Sequence, residues 1–175
     1  MLRSITVAFD REVTLDDGAV VLITEAGQQL AVSVTDPVGD GRTRRIEPTD
    51  ASLPGGSLPD GHYRLSLSAD KVRSLGGVAM AEDAMYDTHR LFGDVDGDGD
   101  VDRRDYIQIR GTYGLSTGES GYRDEYDYNG DDTITFEDAE QVRQRLNTWL
   151  DLPHYPDPPG TISMLLVSGD RKSVV

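Results

Sequence analysis

The chain contains no cysteine, only three Phe and one Trp, and 17 basic residues against 32 acidic ones, which leaves a formal charge of −15 over 175 residues. The missing cysteine excludes a disulfide scaffold, a thiolate metal site and a cysteine nucleophile. The shortage of large aromatics, with an apolar share of 37%, allows one modest core or two small ones, since domains usually run about 50–200 residues. Two small modules fit these limits better than one large enzyme. No stretch approaches the roughly 20 apolar residues of a membrane span, and the N-terminus lacks the charged-then-apolar order of a signal peptide. The deficit of Lys and Arg opposes nucleic acid, whose phosphate backbone demands clustered cations. No Gly-x-Ser-x-Gly elbow, phosphate loop or His-Glu-x-x-His occurs, and His62, His89 and His154 stand apart without metal-ligand spacing. The chain reads as non-catalytic, with its histidines at the surface or partly packed.

The charge that is present is uneven. Residues 1–90 hold 14 acidic and 9 basic side chains, whereas residues 91–175 hold 18 and 8. Six Asp fall between Asp94 and Asp105, a density that repels itself unless a cation sits among them.

From Ser4 to Met80 the sequence consists of short β-type runs, Ser4–Phe9, Ala19–Thr24, Leu30–Val34, Thr43–Ile46 and Tyr63–Leu67. Several alternate with period two, so that Ile5, Val7 and Phe9 share one face, as do Tyr63, Leu65 and Leu67. Gly- and Pro-bearing turns at 16–18, 36–41 and 53–56 separate them. The pattern predicts a small antiparallel sandwich. The opening Arg3-Ser-Ile-Thr-Val-Ala-Phe-Asp10, and Leu58-Pro-Asp-Gly-His-Tyr-Arg-Leu65 leading to Asp70-Lys-Val-Arg-Ser-Leu-Gly-Gly77, resemble bacterial Ig-like modules of large surface and secreted proteins. In such modules another strand precedes the one at Ile5. The resemblance therefore implies a shortened module or an excised fragment of a larger chain, with an exposed sheet edge.

From Arg103 onward the period becomes about 3.6. Tyr106, Ile109 and Tyr113 form one stripe that stops at Gly114, and Phe136, Ala139, Val142, Leu146, Trp149 and Leu150 form a longer one; both read as core faces of helices. Ahead of each stripe lies an acidic loop, Asp94–Asp105 and Asp127–Asp138, and the two loops repeat at an offset of 33 residues. Each carries oxygen-bearing side chains at positions 1, 3, 5, 9 and 12 and a β-branched residue, Val101 or Ile134, at position 8. This is calcium-loop spacing, because Ca²⁺ takes six to eight oxygens at about 2.3–2.6 Å from a loop that curls around it. The expected ligands in the first loop are Asp94, Asp96, Asp98, the Asp100 carbonyl, Asp102 through water, and Asp105. In the second they are Asp127, Asn129, Asp131, the Thr133 carbonyl, Thr135 through water, and Asp138. Val101 and Ile134 are expected to pair between the loops. Position 12 holds Asp rather than the longer Glu, and Asp132 stands where the first loop has the bend glycine Gly99, so the second site is the weaker candidate. A flexible acidic linker would not place an apolar residue at position 8 and a helical stripe after both loops. An Asp-x-Asp phosphoryl-transfer site would need a buried apolar strand that Arg90-Leu-Phe-Gly93 does not supply.

No helix leads into the first loop, and each loop is followed by one. That loop-then-helix duplication, with Asp at position 12, resembles the dockerin modules of secreted and cell-surface proteins over about residues 91–150. The resemblance implies two calcium ions, an extracellular or cell-surface setting and a protein partner of the cohesin class. The family's partner-reading positions 10 and 11 fall on Arg103-Arg104 and Phe136-Glu137, which differ from each other and from the small hydroxyl residues common there. Arg is enriched at interfaces, and Arg103, Arg104 and Arg110 are the candidate partner-binding residues.

The expected architecture is multidomain β + α: an Ig-like antiparallel β-sandwich over 1–88, a small helical dockerin-like EF-hand pair over 89–151, and a Pro-rich linker with a strand-like tail over 152–175. The expected role is a monomeric, calcium-binding attachment piece of a larger chain. A calcium-stiffened spacer and an accessory module of a secreted polysaccharide hydrolase are the alternatives.

Overall fold

The computed structural model describes residues 2–151 and 166–168. The Pro-rich linker 152–160 with His154, most of the strand-like segment after it and the C-terminal tail lie outside the described residues.

Two units emerge, and the chain passes between them more than once. The first consists of Arg3–Asp50 and His62–Thr88 with the strand at 166–168; the second consists of Ala51–Gly61 and residues 89–151 with Leu2.

The first unit is built from sandwich-like sheets. Strands β1 (Ile5–Ala8), β5 (Val32–Thr35), β6 (Thr43–Pro48) and β10 (Leu166–Ser168) form one sheet in the order β10-β1-β6-β5. Strands β3 (Val20–Thr24), β4 (Gln29–Leu30), β7 (Gly61–Leu67) and β9 (Ala84–Arg90) form another in the order β4-β3-β7-β9, and β2 (Val13–Leu15) pairs with β8 (Val72–Ser74). The alternation expected of these runs is what fixes the register. Ile5 sits opposite Ile46, Leu22 opposite Leu65 and Val20 opposite Leu67, and all six are buried. A slip of one residue would turn each row outward. At Ala31 the chain leaves β4 in one sheet and starts β5 in the other. The edge expected to lie open beside β1 is covered, because β10 pairs antiparallel with it, Thr6 opposite Val167. That pairing supplies the ladder partner which an edge strand otherwise exposes.

The second unit is helical. The period change at Arg103 marks α1 (Arg103–Arg110), and α2 spans Phe136–Arg145. Leu91, Phe92, Val101, Ile109, Tyr126, Ile134, Ala139 and Val142 form its core. The two stripes are shorter than the sequence periodicity suggests. Phe136 and Trp149 are 66% and 70% exposed, and Tyr113 is also exposed. Phe136 opens α2 and Trp149 lies beyond its end, where a 3.6-residue period no longer applies; α1 likewise ends at Gly111, ahead of Tyr113. Gly93 is required where it stands: its φ is +99°, and a Cβ there would meet Val142 Cγ1 at 3.0 Å.

Asp60, from the segment between β6 and β7, ties this unit together. Its Oδ1 accepts the Phe92 N–H at 2.7 Å and a hydrogen bond from the buried Arg90 guanidinium, and its Oδ2 accepts Arg145 Nε–H at 2.7 Å. The Arg145 guanidinium lies over the Phe92 and Tyr128 rings, 5.7 and 5.4 Å from their centroids. Phe92 and Tyr128 meet edge to face at 4.9 Å.

Candidate metal centre

The two acidic loops fold alike, residue for residue at the 33-residue offset. Each ends in a capping box that starts a helix. Asp102 caps α1 through the Arg104 N–H and Thr135 caps α2 through the Glu137 N–H. Asp105 and Asp138 return a carboxylate oxygen to the capping residue's own N–H, both at 2.7 Å. The other oxygen of each reaches position 2 of the loop, Val95 N–H and Tyr128 N–H, both at 2.8 Å. Both carboxylates are almost fully buried. A longer Glu would have to withdraw the helix to keep these bonds, so Asp at position 12 suits a helix drawn close to its loop.

Position 8 departs from expectation. Val101 and Ile134 bury their side chains in one core, but their backbones turn to the segments that leave the helices. Ile134 donates to Leu115 O at 2.9 Å and accepts from Gly114 N–H at 2.8 Å. Val101 donates to Thr148 O at 3.0 Å and accepts from Asn147 N–H at 2.8 Å. The segment leaving α1 therefore closes the second loop and the segment leaving α2 closes the first, a reciprocal exchange that occupies the groups a direct loop-to-loop bridge would use.

At the front of the first loop, carboxylate oxygens of Asp94, Asp96 and Asp98 lie within 4.8 Å of one another. The Asp94 side chain is 3% exposed, and its Oδ1 is buried with no hydrogen-bond partner among the described residues. An orphaned buried carboxylate oxygen is costly unless a cation meets it. Three converging hard oxygens suit Ca²⁺ rather than a soft or nitrogen-preferring metal, so the residues fit the ion. In the second loop no comparable trio of carboxylates gathers among the described residues. Asn129 Nδ2 donates to Asp131 Oδ2 at 2.9 Å, and the buried Asp127 accepts N–H groups of Gly130, Asp131 and Asp132. Asp132 adopts the left-handed φ of +68° required at the bend. The family of dockerin type I domains matches residues 92–147.

Residues 92–147 form a dockerin-like module.

Dockerin modules are non-catalytic and attach one protein to another with calcium bound. Among solved structures the chain is similar over part of its length to two type II cohesin–X–dockerin complexes from Acetivibrio cellulolyticus, an N-terminal and a C-terminal interface mutant. The first shares 16% identity over 84% of this chain and 97% of that one, with a TM-score of 0.31. The second shares 12% over the same proportions, with a TM-score of 0.33. No curated protein matches the chain. No helix among the described residues is long and apolar enough to cross a membrane.

Within the dockerin-like module the acidic side chains divide by task. Asp94, Asp96 and Asp98 converge, Asp100 stands exposed with its backbone bridged to Trp149, and Asp102 and Asp105 serve the start of α1. In the second loop Thr133 bridges to Ser116, while Thr135 and Asp138 repeat the capping pair. Arg103, Arg104 and Arg110 are exposed on α1. Sequence reasoning missed two side chains at these loops. His89 Nε2 lies 3.2 Å from Asp94 Oδ2, and the Tyr122 hydroxyl donates to Asp127 Oδ2 at 3.1 Å.

Partial desolvation by the surrounding loop, followed by the charges of Asp98, Asp102, Asp94 and Asp96, holds the carboxyl of the exposed Asp100 above the ordinary value of 3.8. Burial raises Asp105 too, against the opposing N–H bonds from Asp102 and Val95. Calcium binding needs deprotonated carboxylates. Affinity is therefore expected to weaken as pH falls, beginning above 3.8. In the chelated protein the sign reverses, because a raised acid pKa stabilises the fold below its titration and that contribution is lost as pH rises. Calcium titrations at a series of pH values check the first slope, and an affinity independent of pH down to 3.8 would refute it.

Proposed function

We propose that the chain is an extracellular, calcium-dependent attachment module pair. Its dockerin-like half binds two calcium ions and docks a protein of the cohesin class through α1, while the sandwich half carries it within a larger chain. In this reading residues 1–88 are the sandwich and 89–151 the calcium module, except that Ala51–Gly61 serves the module. Asp94, Asp96, Asp98, the Asp100 carbonyl and Asp105 would hold the first ion, with Asp102 reaching it only through water. Asp127, Asn129, Asp131, the Thr133 carbonyl and Asp138 would hold the second, with Thr135 reaching it through water, and the bound ions supply the positive charge that draws the carboxylates together. The observation that carries this reading is the orphaned, buried Asp94 Oδ1 beside two further converging carboxylates.

The docking face is argued from charge. Arg103 and Arg104 are exposed, neither guanidinium has a carboxylate partner among the described residues, and Ile107 beside them is 55% exposed. Arg110 continues the same stripe, with its guanidinium 5.8 Å from the Tyr106 ring centroid. The corresponding positions of α2 are Phe136, Glu137, Glu140 and Arg143, and there Arg143 is already paired with Glu140. In a chain of net charge −15, three cations around an exposed Ile suit a partner with an apolar centre and an acidic rim. Binding of the full chain to purified cohesin modules, with calcium and with chelator, tests this. The double change Arg103→Glu, Arg104→Glu is expected to weaken calcium-dependent binding roughly 10- to 100-fold without altering calcium uptake. Calcium-dependent stability without calcium-dependent capture would leave the spacer reading in its place.

A further inference from the structure

His89 and Tyr122 lie outside both proposed ligand sets, yet the 33-residue repeat that relates the loops also relates them. Each stands five residues before the first carboxylate of its loop. Each bonds the same oxygen of that carboxylate: His89 Nε2 meets Asp94 Oδ2 at 3.2 Å and the Tyr122 hydroxyl donates to Asp127 Oδ2 at 3.1 Å. A carboxylate can only accept, so Nε2 is the donor nitrogen. In both loops the second partner of Oδ2 is also the same, the position-6 N–H, from Gly99 at 3.1 Å and from Asp132 at 2.9 Å. Two chemically unlike rings thus perform one task at equivalent places.

What the task leaves behind is the other oxygen. Asp94 Oδ1 is buried and has no hydrogen-bond partner among the described residues. Asp127 Oδ1 accepts from its own loop's backbone, Gly130 N–H at 2.8 Å and Asp131 N–H at 3.2 Å. A donor from outside the loop that fixes Oδ2 settles the carboxylate's orientation before any ion arrives, and hydrogen bonds to ligating groups commonly set metal affinity in this way. We infer that His89 and Tyr122 are positioning residues, each clamping Oδ2 of its loop's first Asp so that Oδ1 faces the calcium.

This rests on the calcium reading above, and the test separates the two. Calcium is titrated into the full chain at one fixed pH, with each loop followed through the amide resonance of its position-6 residue, Gly99 or Asp132. Tyr122→Phe removes one hydroxyl and keeps the ring; it is expected to weaken the second site roughly 10- to 100-fold and to leave the first within about twofold. His89→Phe is expected to do the reverse, and His89→Gln, which retains an N–H donor, to restore most of the first site's affinity. If His89→Phe fails to fold in calcium, Tyr122→Phe decides alone. Unchanged affinity at the matching site overturns the inference, as does equal weakening of both sites, which is the mark of a merely structural role. Wild-type chain that takes up no calcium at either loop would instead overturn the calcium reading itself.

Discussion

Asp60→Ala is expected to cost the helical unit about 3–5 kcal/mol, the scale of breaking a buried ion pair from one side. The Arg90 side chain is 7% exposed and that of Asp60 27%, so solvent screens the pair only in part. Removing the carboxylate strands Arg90 and Arg145 beside each other and leaves the Phe92 N–H without its acceptor. Burial already draws the Arg90 guanidinium below its ordinary pKa, and Asp60 is the main opposing influence. Against a total stability of about 5–15 kcal/mol for a typical domain, such a loss can unfold the unit. Asp60→Asn should fall between, since an amide oxygen still accepts the Phe92 N–H but carries no charge. Urea unfolding followed through Trp149, the single Trp, measures the difference. An Asp60→Ala midpoint equal to wild type would show that the guanidiniums find solvent instead.

Asp94→Ala should remove the first calcium site outright. With free calcium about 1,000-fold above its dissociation constant, one site adds roughly 4 kcal/mol, and the variant is expected to lose most of that increment, while in chelator it loses only the acceptor of His89 and Gly99, about 1–3 kcal/mol. Asp102→Ala provides the contrast. Its carboxylate caps α1 through the Arg104 N–H, so its loss should cost about 1 kcal/mol with or without calcium. Thermal unfolding of both variants in calcium and in chelator separates metal binding from capping. Equal calcium-dependent losses would mean that Asp94 is not the principal ligand.

The parts of the fold legible in the sequence were those with a periodic row to bury. β1, β3 and β7 bury alternate residues, whereas β6 buries Ile46 alone. β2 and β8 are three residues each, too short to show a period, and β9 is almost uniformly half-buried, so its polar and apolar residues carry no alternation. The loops were legible because ligand geometry ties residue type to spacing. Asp60 was not, because a lone Asp after a proline in a turn gives no local sign of two arginines distant in the chain. His89 and Tyr122 could have been found by extending the repeat five residues upstream, where the match is one of hydrogen-bonding capacity rather than of residue type. Trp149 was assigned to the core because a helical period was carried past the end of α2, where the backbone instead turns to close the first loop, and Phe136 because the period was started at the exposed first residue of that helix.

The most direct measurement is calorimetric titration of calcium into the chelated full chain, with Trp149 fluorescence and far-ultraviolet dichroism recorded on the same samples. Uptake of two ions, with helical signal and a changed Trp149 environment appearing together, is the predicted result. A chain that takes up no calcium and keeps both helices and the same Trp149 spectrum in chelator would contradict it.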